Sequence, residues 1–321
     1  REHKNWVRIL GTPYVNMLNK AVEYNRQNEL IQVSEALHEK KYAEIADNIY
    51  RRKDEVKLVL LAGPSSSGKT TSCRRIATQL SVLGFKSLQI SLDDYFVDRE
   101  HTPKDASGNY DFECIEALDL DFFNYQMKEL LSGAEIELPR FDFISGKRVQ
   151  SGNRLKMKAN SILIVEGIHA LNPHLTDKIE AKNKYNVFVS AMTQLALDRH
   201  NLISSSDNRL LRRIVRDNNY RGYSAQDTIL RWDSVRSGEE KHIFPYQENA
   251  DSIFNSSLLY EIGVLKPTAE KLLFEVAQNS PAYSEARRLQ NFLSEFKSIK
   301  TDFIPPTSIM REFLGGSSFA Y

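Results

Sequence analysis

One stretch constrains this chain more than any other. Gly63-Pro64-Ser65-Ser66-Ser67-Gly68-Lys69-Thr70 fits the pattern G-x-x-x-x-G-K-[ST]. It follows a short apolar run of β type, Lys57 to Ala62 (KLVLLA), and opens a helical stretch reaching Leu83. Glycines in such a turn allow backbone conformations that aim successive N–H groups inward, and the helix start adds its positive end. The outcome is a cradle for a polyanion. Its natural setting is the C-terminal edge of a parallel sheet, which ties the region to an α/β fold.

The rest of the chain agrees with that setting. Lys86 to Ser91, Ser161 to Val165, Asn186 to Ser190 and, more weakly, Ser252 to Phe254 read as further strands, with helical segments between them. Ala117 to Leu131 is amphipathic, with Asp119 as candidate N-cap and Gly133 as its stop. Upstream, Leu30, Val33, Leu37, Ile45 and Ile49 share one helical face. Downstream, Thr268 to Ala277 and Ser284 to Phe296 read as helices. The tail from Ile304 to Tyr321, with Pro305, Pro306, Gly315 and Gly316, is expected to be irregular and laid over the surface. The expected organisation is a helical N-terminal extension (1–56), a P-loop α/β domain with a helix-flanked parallel sheet (57–266), and a helical C-terminal extension with its tail (267–321). Because the chain begins with Arg rather than Met, its first segment is expected to be the end of a longer upstream region.

Composition narrows the function classes. With 43 basic and 42 acidic residues, the net charge of +1 argues against nucleic acid or an anionic membrane as the main partner. No apolar run is long enough for a membrane span, and the first residues, Arg1 to Trp6, carry no apolar signal core. Cys73 and Cys114 form no metal-like or disulfide-like pattern. The expectation is a cytoplasmic protein, with self-association left open.

Residues around the loop suggest phosphoryl chemistry. Gly63, Ser65, Ser66, Ser67, Gly68 and Thr71 would offer backbone and side-chain donors to phosphates. Lys69 would reach the β- and γ-phosphates of ATP, and the Thr70 hydroxyl would ligate Mg²⁺. Asp93 and Asp94 directly follow the second strand. Neighbouring side chains in an extended chain point apart, so Asp93 is read as the base for an acceptor hydroxyl and Asp94 as structural; a turn or cap role for Asp93 is the alternative. Glu166 ends an apolar run (ILIV), where an acid is costly unless a cation accompanies it, so Mg²⁺ is the expected companion, with Asp93 nearby. In DNRLLRRIVRDNNYRG, Arg209, Arg213 and Arg216 share one helical face, with Arg212 beside them. They read either as a mobile lid over phosphates or as a solvated face paired with acids. Two guanine-type signals fail: Asn183-Lys184-Tyr185-Asn186 lacks its acid, and Asp105 to Gly108 (D-x-x-G) follows no strand.

In order along the chain, the loop, LDDYF, NYDF, LPRFDFISGKR, ILIVEG, RLLRRIVRDNNYRG and IFPYQENADSIFNSS resemble the uridine kinase and phosphoribulokinase family, most closely its uridine kinase branch, over roughly Lys57 to Lys266. The resemblance implies an ATP- and Mg²⁺-dependent kinase of pyrimidine salvage type. It places the catalytic Asp on Asp93 and the acceptor-binding Asp on Asp111. It brings Arg209 and Tyr95 to the acceptor, Arg212 into catalysis, and Arg212, Arg213 and Arg216 onto phosphates. Uridine kinases look to read the base with Tyr and His of Y-D-F-x-x-H-x-R; here those positions are Phe141 and Gly146, so the reaction is better specified than the acceptor. The helical lead-in and the Gly-Gly-Ser-Ser-Phe-Ala-Tyr end resemble a bacterial subgroup whose upstream segment is similar to accessory domains of threonyl-tRNA synthetase. The expected acceptor is nucleoside-like, uridine or cytidine first, with another nucleoside, a sugar or a polyol behind it. A regulatory ATP-binding module is the rival from another class.

Overall fold

The computed structural model describes residues 10–104, 108 and 110–319. Five strands form one parallel sheet in the order β2-β5-β1-β6-β7: β1 Leu58–Ala62, β2 Lys86–Ser91, β5 Ser161–Glu166, β6 Lys184–Ser190 and β7 Ser252–Asn255. Their alternation divides the core in two. Val59, Leu61, Ile162, Ile164, Val187 and Val189 face one side; Leu58, Leu60, Leu163, Val165 and Phe188 face the other.

The first side carries most of the helices: α1 Val15–Glu23, α2 Gln27–Arg51, α3 Lys69–Val82, α5 Ser205–Arg221, α6 Ala225–His242, α7 Glu261–Phe274, α8 Tyr283–Ser294 and α9 Met310–Leu314. On the other lie α4 Leu120–Leu131 and a two-stranded antiparallel hairpin, β3 Glu135–Asp142 with β4 Lys147–Lys156. Among the described residues no helix is long and apolar enough to cross a membrane.

The lead-in helices share the core of the sheet. The hydroxyl of Tyr42 on α2 meets Ser72 Oγ at 2.9 Å, and Arg75 on α3 bonds Glu35 at 3.3 Å and Glu39 at 2.6 Å. Tyr260 and Ser308 both donate to the other Glu35 oxygen at 2.6 Å. One buried carboxylate thus ties the N-terminal helix, the loop helix, the start of α7 and the tail together.

The structure departs from the sequence pattern at four points. The tail is not merely laid over the surface: Ile309, Met310 and Phe313 are fully buried, because the short α9 inserts its apolar side into the core. Helix α7 starts at Glu261 and runs through Pro267, held by buried Ile262, Val264, Leu265, Ala269, Leu272 and Leu273 on either side of the proline. The β3–β4 hairpin was not expected from the pattern. The arginine helix α5 is no free lid either: Leu210, Leu211, Ile214 and Val215 have no exposed surface and anchor it.

Candidate active site

The loop between β1 and α3 takes its shape from close backbone approach. A Cβ on Gly63 would lie 2.0 Å from the Val189 carbonyl oxygen of β6, so no other residue fits there. Ser66 (φ 57°) and Gly68 (φ 86°) occupy left-handed conformations, which turn the N–H groups of the nest inward. Lys69 Nζ donates to the Pro64 carbonyl at 3.1 Å, folding across the mouth of the loop.

Glu166, at the end of β5, is buried beside it. Its Oε1 accepts from Thr70 Oγ1 at 3.2 Å and Ser91 Oγ at 3.3 Å. Burial first, then the charge of Asp93, pushes its carboxyl up to about 7. A carboxyl this costly to ionise, next to a loop threonine and a second acid, is the donor set that a hard divalent cation would satisfy.

Asp93 stands on the single turn Leu92–Tyr95 that follows β2, and its charge is felt at Glu166, Glu113 and Arg221. Asp94 turns away: its carboxylate accepts from Phe141 N at 3.1 Å and pins the hairpin. Asp111 Oδ1 accepts from Glu113 N at 3.0 Å, so these two acids sit on one turn. Glu113 packs its stem on α6, where a Cβ on Gly238 would lie 2.4 Å from Glu113 Cβ. Burial pushes the Glu113 carboxyl up to about 7; Glu239 and Asp93 act in the same sense, while Arg213 and Lys69 oppose them.

The arginines divide. Arg212 is fully buried, donating to Glu261 at 2.8 Å through Nε, to the Ser256 carbonyl at 2.9 Å and to the Ser66 carbonyl at 3.3 Å. Arg209 makes a two-pronged pair with Glu239 at 2.6 and 2.8 Å and donates to the Ser65 carbonyl at 3.1 Å. Both reach the loop backbone, whereas the resemblance brings Arg209 to the acceptor and Arg212 to catalysis and phosphates. The physical reason is that their pitch on α5 faces Glu239 and Glu261. Arg213 reaches Ser65 Oγ at 2.8 Å, and Arg216 pairs with Asp217, which also draws Arg213 and Arg221. Crowding by Arg216 and then burial lower Arg221 to about 10.

Two more expected acceptor residues are placed differently. Tyr95 is fully buried and donates to Gln126 Oε1 on α4 at 2.6 Å, because its turn points it into the second core. Phe141 is also buried, 5.6 Å from the Phe96 ring and 5.2 Å from Phe143. At Gly146, a Cβ would lie 2.8 Å from the Arg99 guanidinium carbon, so the position where the resemblance expects His is filled by an arginine. Thr71 is covered by Glu312 of α9. Asp105 to Ser107 of the D-x-x-G stretch and Asn109 of NYDF lie outside the described residues.

Sequence reasoning missed Glu113, Glu239, Glu261, Glu312 and Arg99. It also missed His169, buried after β5 without a well-formed hydrogen bond on either ring nitrogen and lowered to about 4, first by burial. Only Glu113 carried a signal, standing two residues from Asp111 in the same segment.

A strand–loop–helix anion nest at the C-terminal edge of a parallel sheet, with Lys69, Asp93 and Glu166 around it, defines the class: a P-loop phosphotransferase. The chain belongs to the phosphoribulokinase / uridine kinase family, whose family model matches residues 58–260, and it is accordingly a kinase of the ATP-using type. Uridine kinases of Staphylococcus aureus strains JH9 and Newman are each 30% identical to it over 198 residues, 61% of this chain and 86% of theirs. A solved structure of a possible uridine kinase from Bacillus stearothermophilus is 16% identical, with a TM-score of 0.44 over 67% of this chain and 98% of that one, a likeness too distant to carry argument.

Proposed function

We propose that the chain transfers the γ-phosphoryl group of Mg·ATP to a hydroxyl of a nucleoside, uridine or cytidine to the 5′-monophosphate being the first case. The observation that carries this reading is the convergence of Lys69, Asp93 and Glu166 around one loop, with Glu113, which shares a turn with Asp111, in reach of the charges of Lys69 and Asp93. In this reading the nest holds the phosphates, and Lys69 leaves the Pro64 carbonyl to meet the β- and γ-oxygens. Thr70 and Glu166, with Asp93 beside them, hold Mg²⁺, which neutralises phosphate charge when bound. Asp93 orients the acceptor hydroxyl. As the new O–P bond forms and the bond to the departing ADP breaks, the hydroxyl proton passes to Asp93. Asp111 and Glu113 take acceptor hydroxyls, while Arg213 and Arg216 draw in the phosphates.

A different acceptor, such as another nucleoside, a sugar or a polyol, is the second reading. Arg99 over Gly146 favours it, since that guanidinium fills the place of a base-reading side chain. Both readings meet one experiment: ADP release from Mg·ATP by the purified chain against nucleosides, sugars and polyols, with product mass confirmed. A pyrimidine nucleoside that gains a phosphate supports the first reading, and another acceptor supports the second. If none stimulates turnover above slow hydrolysis, the kinase acceptor is lost and a regulatory ATP-binding module takes its place.

A further inference from the structure

The C-terminal tail places a carboxylate on the phosphate loop's own donors. Glu312 Oε2 accepts from Thr71 Oγ1 at 2.6 Å and from Thr71 N at 3.3 Å. Thr71 follows Lys69 and Thr70 in the first turn of α3, among the N–H groups that cradle the α- and β-phosphates in a loop of this kind. A carboxylate there uses the two interactions a phosphate oxygen would use, a backbone N–H and a hydroxyl, at a helix start that favours negative charge.

Among the described residues no lysine or arginine forms an ion pair with Glu312, and the hydrogen bonds it accepts are the two from Thr71. Its charge also reaches Glu166, where it opposes ionisation. The segment carrying it is firmly seated. Ile309 lies against the loop, 2.9 Å from where a Gly68 Cβ would be, Phe313 is buried with its carbonyl accepting from Asn219 Nδ2 at 2.9 Å, and the Arg212 guanidinium lies 5.2 Å from the Phe313 ring.

We propose that Glu312 is a built-in phosphate mimic: its carboxylate occupies the α-phosphate end of the loop, and nucleotide binds by displacing that side chain from Thr71. Two negative groups cannot share one N–H and one hydroxyl, so the bond to Thr71 stabilises the nucleotide-free protein and opposes nucleotide. This rests on the phosphate-binding role of the loop and not on the identity of the acceptor.

The test is direct binding of Mg·ADP, without acceptor, to the full chain and to Glu312→Gln, by calorimetry, alongside thermal melting of both proteins with and without nucleotide. The expected result is nucleotide binding about ten-fold tighter in the variant, with a lower melting point for the nucleotide-free variant and a larger nucleotide-induced rise. Binding that is weaker in the variant overturns the proposal, because Glu312 would then position the loop for phosphate. Unchanged binding overturns it as well. Should Glu312→Gln fold poorly, Glu312→Ala gives the same reading. A chain that binds Mg·ADP as expected yet phosphorylates no acceptor leaves this proposal standing and sinks the kinase assignment instead.

Discussion

Two carboxylates reach the phosphate loop from distant parts of the chain, and they are held in opposite ways. Glu239, from α6, accepts from Ser65 N at 2.8 Å at one end of the loop. Glu312, from the tail, covers Thr71 at the other. Glu239 has no exposed side-chain surface, and both its oxygens are matched by the Arg209 guanidinium. Among the described residues, the partly exposed Glu312 accepts hydrogen bonds only from the donors of the loop. A buried charge with its counter-charge fixed beside it belongs to the architecture, whereas a charge with no counterion among the described residues can be exchanged for another anion. The Ser65 end is therefore built and the Thr71 end provisional.

The difference between the two ends bears on turnover only if the phosphate held between them is the one that reacts. Lys69→Ala removes the charge that spans the middle of the loop, and turnover is expected to fall by about 10³-fold or more in an ADP-release assay. Near-normal rates would mean that the loop does not hold the reacting phosphate. Asp93→Asn is expected to cut transfer by about 10²-fold while leaving nucleotide affinity close to that of the parent, measured as Kd for Mg·ATP beside kcat. Transfer that survives would remove Asp93 as the base.

Breaking the built end comes next in size. Glu239→Ala leaves the Arg209 guanidinium buried without its partner and frees Ser65 N, at an expected cost of about 3–5 kcal/mol in denaturant unfolding. Replacing both partners, Arg209→Met with Glu239→Leu, is expected to recover most of that loss, since the pair's desolvation is then avoided. If the single variant costs less than the double, the pair is not what holds this end.

Glu166 gives a pH test of the region between the two ends. Its carboxyl is raised from 4.5 to about 7, so it stays protonated in the folded chain at pH values where the unfolded chain has ionised. Stability from this group is full below the unfolded value and is lost as pH rises toward 7, an effect of about 3 kcal/mol. Glu113 acts in the same sense. His169, lowered to about 4, works in the other window: its contribution is lost as pH falls from about 6.5 toward 4. Glu166→Gln is therefore expected to flatten the alkaline side of the stability profile and leave the acid side alone. An unchanged profile between pH 5 and 8 would show that Glu166 is not the group that titrates there.

What the sequence reveals of these regions follows from how far each signal extends along the chain. The central strands are continuous apolar runs, and the loop is one local pattern whose glycine at 63 is demanded by the neighbouring strand. Asp119 caps α4 through Phe122 N at 3.0 Å, as its place before the amphipathic run suggests. The hairpin hid because β4 is polar and exposed almost throughout and β3 carries Pro139 at an irregularity in the pairing, so neither shows clean alternation. In α5, helical pitch separates the faces but does not say which one a buried glutamate will meet. Glu239 and Glu312 stand 174 and 241 residues from the loop donors they hold. No local pattern spans such distances.

Glu312→Gln keeps the shape of the side chain and an oxygen that can still accept from Thr71, and removes only the charge. The expected loss of stability in the nucleotide-free chain is about 1 kcal/mol, well below that of Glu239→Ala, because Glu312 is partly exposed and its removal strands no buried cation. Saturating Mg·ADP should erase the difference between the variant and the parent, since in both proteins the phosphate then satisfies Thr71. For Glu239→Ala the deficit should persist under nucleotide, as Arg209 remains uncompensated whatever the loop holds. Denaturant unfolding of the two variants with and without Mg·ADP decides it: a deficit that nucleotide erases in one and leaves in the other separates an exchangeable anion from a fixed one, and equal behaviour would make the two ends the same kind of contact.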